Sequence, residues 1–187
     1  GSWGLMRDTV FFDLEALRSS GINLKGKLSA IPKIAPPTKL DEALSTLVNI
    51  TAILSKEVSS EISLENFTSY LAEFAQEKTK HELKETVRRA LMLIPAITSG
   101  GYGGPIISFQ VGKDSSSSKF DEALIKRVLE ATFSAYEEYV KSVPEPMVNL
   151  VFTTDSEIEP KLKSMLSSAI YSGGKIGISN NMNGAIA

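Results

Sequence analysis

Three short polar stretches hold the residues best suited to grip a ligand. They are Gly112-Lys113-Asp114-Ser115, Thr153-Thr154-Asp155-Ser156 and Ser179-Asn180-Asn181. Each follows an apolar run that reads as a strand. In an open α/β sheet, ligands sit outside the carboxyl ends of the strands. Lys113, Ser115, Thr153, Thr154, Ser156 and Ser179 are therefore the expected ligand-binding set. Two of the stretches lead into helix N-termini, where the dipole favours an anion such as a phosphate group. Asp114 and Asp155 oppose a bare anion but suit one carried on magnesium. The plainer reading makes Ser118 and Ser156 helix caps in ordinary polar loops.

A second constellation is basic. Lys80, Lys84, Arg88 and Arg89 fall on one predicted helix, with Lys84 and Arg88 four residues apart on one face. Such a stripe could hold a nucleic-acid backbone. Tyr102, in the loop beyond, could stack on a base. Glu77, Glu82 and Glu85 dilute the stripe, and a solvated helix face is the stronger reading.

Other chemistry finds less support. There is no cysteine, so this chain offers no thiol nucleophile and no cysteine-held metal. The single histidine, His81, has no partner at a defined spacing, and there is no Gly-x-Ser-x-Gly elbow. Asp155, Glu157 and Glu159 alternate like oxygen ligands for a hard cation, but fit better as acids in a helix first turn. No catalytic residue, metal site or cofactor is expected, and the balance leans away from an enzyme.

The elements that would position these residues divide at Ser99-Gly100-Gly101-Tyr102-Gly103-Gly104-Pro105. Four glycines and a proline suit neither helix nor central strand. The stretch resembles a phosphate-cradling loop, but it precedes a strand rather than a helix and lacks the Gly-Lys-Ser/Thr ending. It reads instead as a joint. Before it, residues 1–37 form a short strand at Thr9–Leu14, with a helix from Asp13 to Arg18 as the rival reading. An irregular apolar arm through Ile22, Leu24, Leu28, Ile31 and Ile34 follows. Residues 38–98 carry three amphipathic helices. The first opens at Thr38, with Asp41 completing a capping box. The second opens at Ser63, with Leu64, Phe67, Leu71 and Phe74 on one face. The third opens at Thr79 with Glu82, and Pro95 should kink or end it.

Residues 105–180 alternate strand and helix. Ile106–Val111, Met147–Phe152 and Lys175–Ser179 are the strands, and Lys119–Ser142 is a helix apolar over so wide an arc that it must be central. Crossovers of this length imply parallel neighbours. The expected fold is a helix-rich α+β or α/β protein. An N-terminal helical bundle would pack on a small β-α-β-α-β unit, in one compact domain overall.

A net charge of −2 gives no global nucleic-acid footprint. Gly1-Ser2 reads as a cloning remnant, with the native start missing or at Met6. No run is long enough to span a membrane, which points to a cytoplasmic protein. The functional expectation is a non-catalytic interaction or scaffold subunit, with a protein partner or a second copy of itself held through the arm. The alternative is a phosphate-group or nucleic-acid-binding module.

Overall fold

The computed structural model describes residues 9–21, 34–58, 60–98, 104–113, 116–155 and 157–180. The strands are β1 (Thr9–Asp13), β2 (Glu61–Glu65), β3 (Ile106–Gly112), β4 (Val148–Thr154) and β5 (Ile176–Asn180). The helices are α1 (Leu14–Ser20), α2 (Leu40–Ser55), α3 (Phe67–Ala72), α4 (Lys80–Thr98), α5 (Glu122–Ser142) and α6 (Pro160–Tyr171). The five strands form one sheet in the order β1-β2-β3-β4-β5, and every neighbouring pair is parallel. The α/β, helix-rich expectation is met.

The helical bundle is not. The segment opening at Ser63 is the strand β2, which lies inside the sheet between β1 and β3. Its Glu-Ile-Ser-Leu-Glu alternates with period two, and Ile62 and Leu64 are fully buried. Asn66, in the left-handed conformation at φ 61°, then turns the chain into α3. At the chain's start, both readings of residues 9–18 hold in succession: strand to Asp13, whose carboxylate accepts from the Glu15 N–H, then helix. The capping box of α2 closes on Glu42 rather than Asp41, which takes both the N–H and the hydroxyl of Thr38 at 2.9 Å. The box of α4 is reciprocal, as expected: Thr79 N–H to Glu82 at 2.8 Å and Glu82 N–H to the Thr79 hydroxyl at 3.1 Å. Pro95 does not end α4, which runs on to Thr98. The apolar arm over residues 22–33 and the glycine joint over 99–103 lie outside the described residues.

The strand order dictates where the helices go. Each crossover steps one strand over in the same direction, and such crossovers share one hand, so all the helices fall on one face of the sheet. Packing agrees. Phe67 of α3 meets Phe109 of β3 at 4.7 Å between ring centroids, and Phe133 of α5 meets Phe152 of β4 at 5.4 Å. The Tyr136 hydroxyl of α5 donates to the Val148 carbonyl at 2.7 Å and accepts from the Lys175 N–H at 3.0 Å, tying the helix to the starts of β4 and β5. Burial pushes that phenol up to about 12. As its breadth predicts, α5 is central in the helical layer, with Leu124, Val128, Phe133 and Tyr136 all buried.

Glu130 joins three helices. It sits buried on α5 between Lys80 of α4 at 3.3 Å and Lys161 of α6 at 3.2 Å. Burial pushes its carboxyl up, but the bonds and charges of Lys161 and Lys80 outweigh it and hold the group below its ordinary 4.5. A carboxyl lowered by folding stabilises the fold above the unfolded pKa and stops doing so as pH falls through the folded one. Glu130→Gln should therefore lower stability by about 1–2 kcal/mol at neutral pH. The gap from wild type should close as pH falls from neutral through the lowered folded-state value, below the ordinary carboxylate range. Urea titrations of both proteins at neutral and at acid pH check this; a gap that stays constant would show that Glu130 acts through packing alone.

Candidate functional site

Two concavities bring polar side chains together. The first, of about 350 Å³, lies at the carboxyl ends of β3 and β4, between α5 and α6. It unites three of the residues expected to bind a ligand: Lys113, Thr153 and Thr154. Register explains how. Gly112 pairs with Thr153, and Thr153 with Ser179, so the ends of three neighbouring strands lie level. Thr153 and Thr154 point to opposite faces, and the cavity wraps around the sheet's end. Ser179 is exposed on the edge strand and does not line the cavity. Ser115 and Ser156 lie outside the described residues.

The cavity's floor is apolar, with Phe152, Ile125 and Leu129, and its rim carries both signs of charge. Lys113 reaches Glu122 at 3.5 Å, and Lys126 reaches Glu159 at 2.9 Å. The hydrogen bond and charge of Glu159 raise the Lys126 ammonium's pKa. Both lysines are thus matched by carboxylates within the chain, which weakens the site's pull on an anion. Among the described residues there is no cluster of metal-ligating side chains, so Asp155, Glu157 and Glu159 do not converge.

The second concavity opens from the sheet face away from the helices, at the amino ends of the strands, and reaches round to Ile170 of α6; no sequence motif pointed to it. Pairing puts Phe11, Ser63, Ser108 and Asn149 in one row across four strands, and Gln110, Val151 and Gly177 in the next. The face is polar and internally bonded. The Ser108 hydroxyl donates to Glu61 Oε1 at 2.6 Å, and Gln110 Nε2 donates to the Ser63 hydroxyl at 2.9 Å. A shallow cavity of about 480 Å³ opens here, lined by Glu61, Ser108, Asn149, Val151, Ile170 and Lys175 among others. The signal was present in the strand sequences. In Ile107-Ser108-Phe109-Gln110-Val111 every second residue is polar, though the strand lies in the middle of a sheet.

The basic helix is committed elsewhere. Lys80 pairs with Glu130; Lys84 and Arg88 both pair with Glu138, and Arg88 also with Glu85 at 3.0 Å. Arg89 is exposed, and its Nε donates to the Glu85 carbonyl at 3.4 Å. Three of the four cations thus bind α4 to α5 or to itself, and a nucleic-acid partner finds no support here. Tyr102 lies outside the described residues, and His81 is exposed on α4.

The chain is thus an α/β protein with a sequentially ordered parallel sheet and its helices on one face. The family comparison makes it specific: residues 5–182 match the model for anaerobic ribonucleoside-triphosphate reductase, and the chain belongs to that family. Solved structures agree in fold. An anaerobic ribonucleotide reductase from Thermotoga maritima with citrate in the active site is 11% identical, at a TM-score of 0.64. The match covers 97% of this chain and 37% of that one. The same enzyme with dATP in the specificity site gives 10% identity and a TM-score of 0.65, over 97% of this chain and 35% of that one. Its complex with dATP and CTP gives 12% and 0.60, over the same shares. The chain thus spans little more than a third of these relatives. A comparison with curated proteins returns no match.

The family overturns the functional expectation. The family is one of catalytic enzymes, so the expectation of a non-catalytic interaction or scaffold subunit is wrong. The missing cysteine and catalytic motifs rule out particular chemistries, not enzymes as a class. No helix among the described residues is long and apolar enough to cross a membrane.

Proposed function

We propose that this chain supplies one sheet of the catalytic unit of an anaerobic ribonucleoside-triphosphate reductase, and that its helix-free face turns toward the substrate. The observation that carries the reading is the family match across nearly the whole chain, combined with a parallel sheet whose helix-free face, among the described residues, carries bonded polar side chains such as Glu61–Ser108 and Gln110–Ser63. A face built only to pack on another layer would alternate apolar residues there as well. With no thiol in its sequence, the chain would not provide cysteine redox chemistry. Its part would be to hold and orient the nucleotide. Lys113, Thr153 and Thr154 border a separate cavity at the carboxyl ends of β3 and β4.

The test is equilibrium binding of ribonucleoside triphosphates to the natural full chain, compared with Gln110→Leu. That change removes the Gln110–Ser63 bond without touching the helix-packed core. Affinity should fall by about tenfold, the worth of one lost hydrogen bond at a binding face. A melting temperature within about 2 °C of wild type would show that the fold is intact. Unchanged affinity would mean that the substrate does not meet this face.

A further inference from the structure

We infer that the cavity at the carboxyl ends of β3 and β4 binds a small organic monocation with an apolar body, of the arylalkylamine class. The site is separate from the helix-free face, and the inference does not rest on the reading above. Size and floor set the body. A cavity of about 350 Å³ is at the lower end of the range that small-molecule sites occupy, about 300–1,000 Å³. Its floor is Phe152 from β4 with Ile125 and Leu129 from α5, and Ile158 and Leu162 close it on the side of α6. Phe152, Ile125 and Leu129 are all buried, so the floor is part of the core and is fixed before a ligand arrives. An inorganic ion or a bare phosphate chain would leave that surface wet. A hydrocarbon body covers it.

Charge sets the head. The lining holds Glu122, Glu157 and Glu159 against Lys113 and Lys126. Each lysine already meets a carboxylate, Lys113 with Glu122 at 3.5 Å and Lys126 with Glu159 at 2.9 Å. Glu157 is exposed and, among the described residues, joins no ion pair. Asp121 and Asp155, which flank the lining in the chain, are exposed and add to the negative side. An anion must draw a lysine from its partner, and then sits beside the carboxylate it displaced. A cation meets Glu157 with no pair broken. The helix starts do not reverse this. Both α5 and α6 begin at the cavity, and their dipoles favour negative charge, but Glu122 in the first turn of α5 and Glu159 at the N-cap of α6 already supply it. Pro160, the first residue of α6, has no N–H to offer an anion. Thr153, half-buried in the lining, adds a hydroxyl that can accept from an ammonium.

The experiment titrates three probes of nearly equal body into the natural full chain by calorimetry: phenethylamine, phenethyl alcohol and hydrocinnamate. Wild type should bind the amine about tenfold more tightly than the carboxylate, with the alcohol between them, because Glu157 attracts one head and repels the other. Glu157→Gln should bring the three to within about twofold of one another, and Glu157→Lys should reverse their order. Glu157 is exposed, so both variants should melt with wild type. Methyl NMR places the site: the amine should shift the resonances of Ile125, Leu129 and Leu162. Equal affinity for amine and carboxylate in wild type overturns the assignment, as does a preference that survives Glu157→Gln. Shifts confined to other methyls, or no binding of the amine at all, overturn it as well.

Discussion

Leu150→Asp should abolish folding, whereas Val151→Asp, one residue on, should leave a folded protein. Leu150 is only 1% exposed and pairs in register with Phe109 and Ile176 beneath the helical layer. A carboxylate placed there has no cation within the core to meet it. It must either ionise unpaired or shift its pKa far upward, at a cost of several kcal/mol. Total stability for a domain of this size is only about 5–15 kcal/mol. Val151 points to the opposite face, half-buried among polar neighbours, where a charge keeps contact with water. Thermal melts followed by circular dichroism separate the two variants. Equal damage from both would mean that the helices do not lie on one side of the sheet, and the polar face would lose its meaning as a site.

That asymmetry between faces was only half legible in the sequence. The β3-α5-β4-α6-β5 part could be read directly. Its strands are apolar runs bounded by glycine, proline and polar loops, and the breadth of α5's apolar arc already placed it centrally. β2 escaped because Leu64, Phe67, Leu71 and Phe74 keep a helical spacing straight across the strand–helix boundary at Asn66. Five residues of alternation are too few to break that pattern, and what makes them a strand is pairing with β1 and β3, more than forty positions away on either side. The polar face was hidden for the same reason. Ser63, Ser108 and Asn149 look like separate surface residues until the strand order puts them in one row. The carboxyl-end cavity was easier, because the ends of parallel strands are predictable from the strands themselves, and Lys113, Thr153 and Thr154 do meet there. The family could not be inferred from motifs. At 10–12% identity to the solved reductases, with no cysteine, likeness resides in the order and spacing of elements rather than in any short signature.

Gly112→Ala should be among the most damaging single-methyl changes in the protein, and its reason lies where β3 ends beside β4. Gly112 has φ +115°, a conformation that L side chains rarely adopt, so any Cβ there brings backbone strain. The added methyl would also stand 2.1 Å from the Thr153 carbonyl oxygen and 3.1 Å from its carbon. Those are backbone atoms of the neighbouring strand, and no rotamer change can move them aside. Nor can β3 easily give way, because the Gly112 N–H donates to the buried Thr68 hydroxyl at 2.9 Å, anchoring the strand's end to α3. Strain and clash together should cost about 3 kcal/mol or more. For a chain of this size that lowers the melting temperature by roughly 6–12 °C. Gly177→Ala, on the edge strand with nothing within 4 Å of the new methyl, should change it by no more than about 2 °C. The effect should also reach the cavity, since Thr153 lines it and must shift to admit the methyl. A Gly112→Ala protein that melts with wild type would show that β3 and β4 do not approach this closely, and that the wall formed by Lys113, Thr153 and Thr154 is not held by this contact.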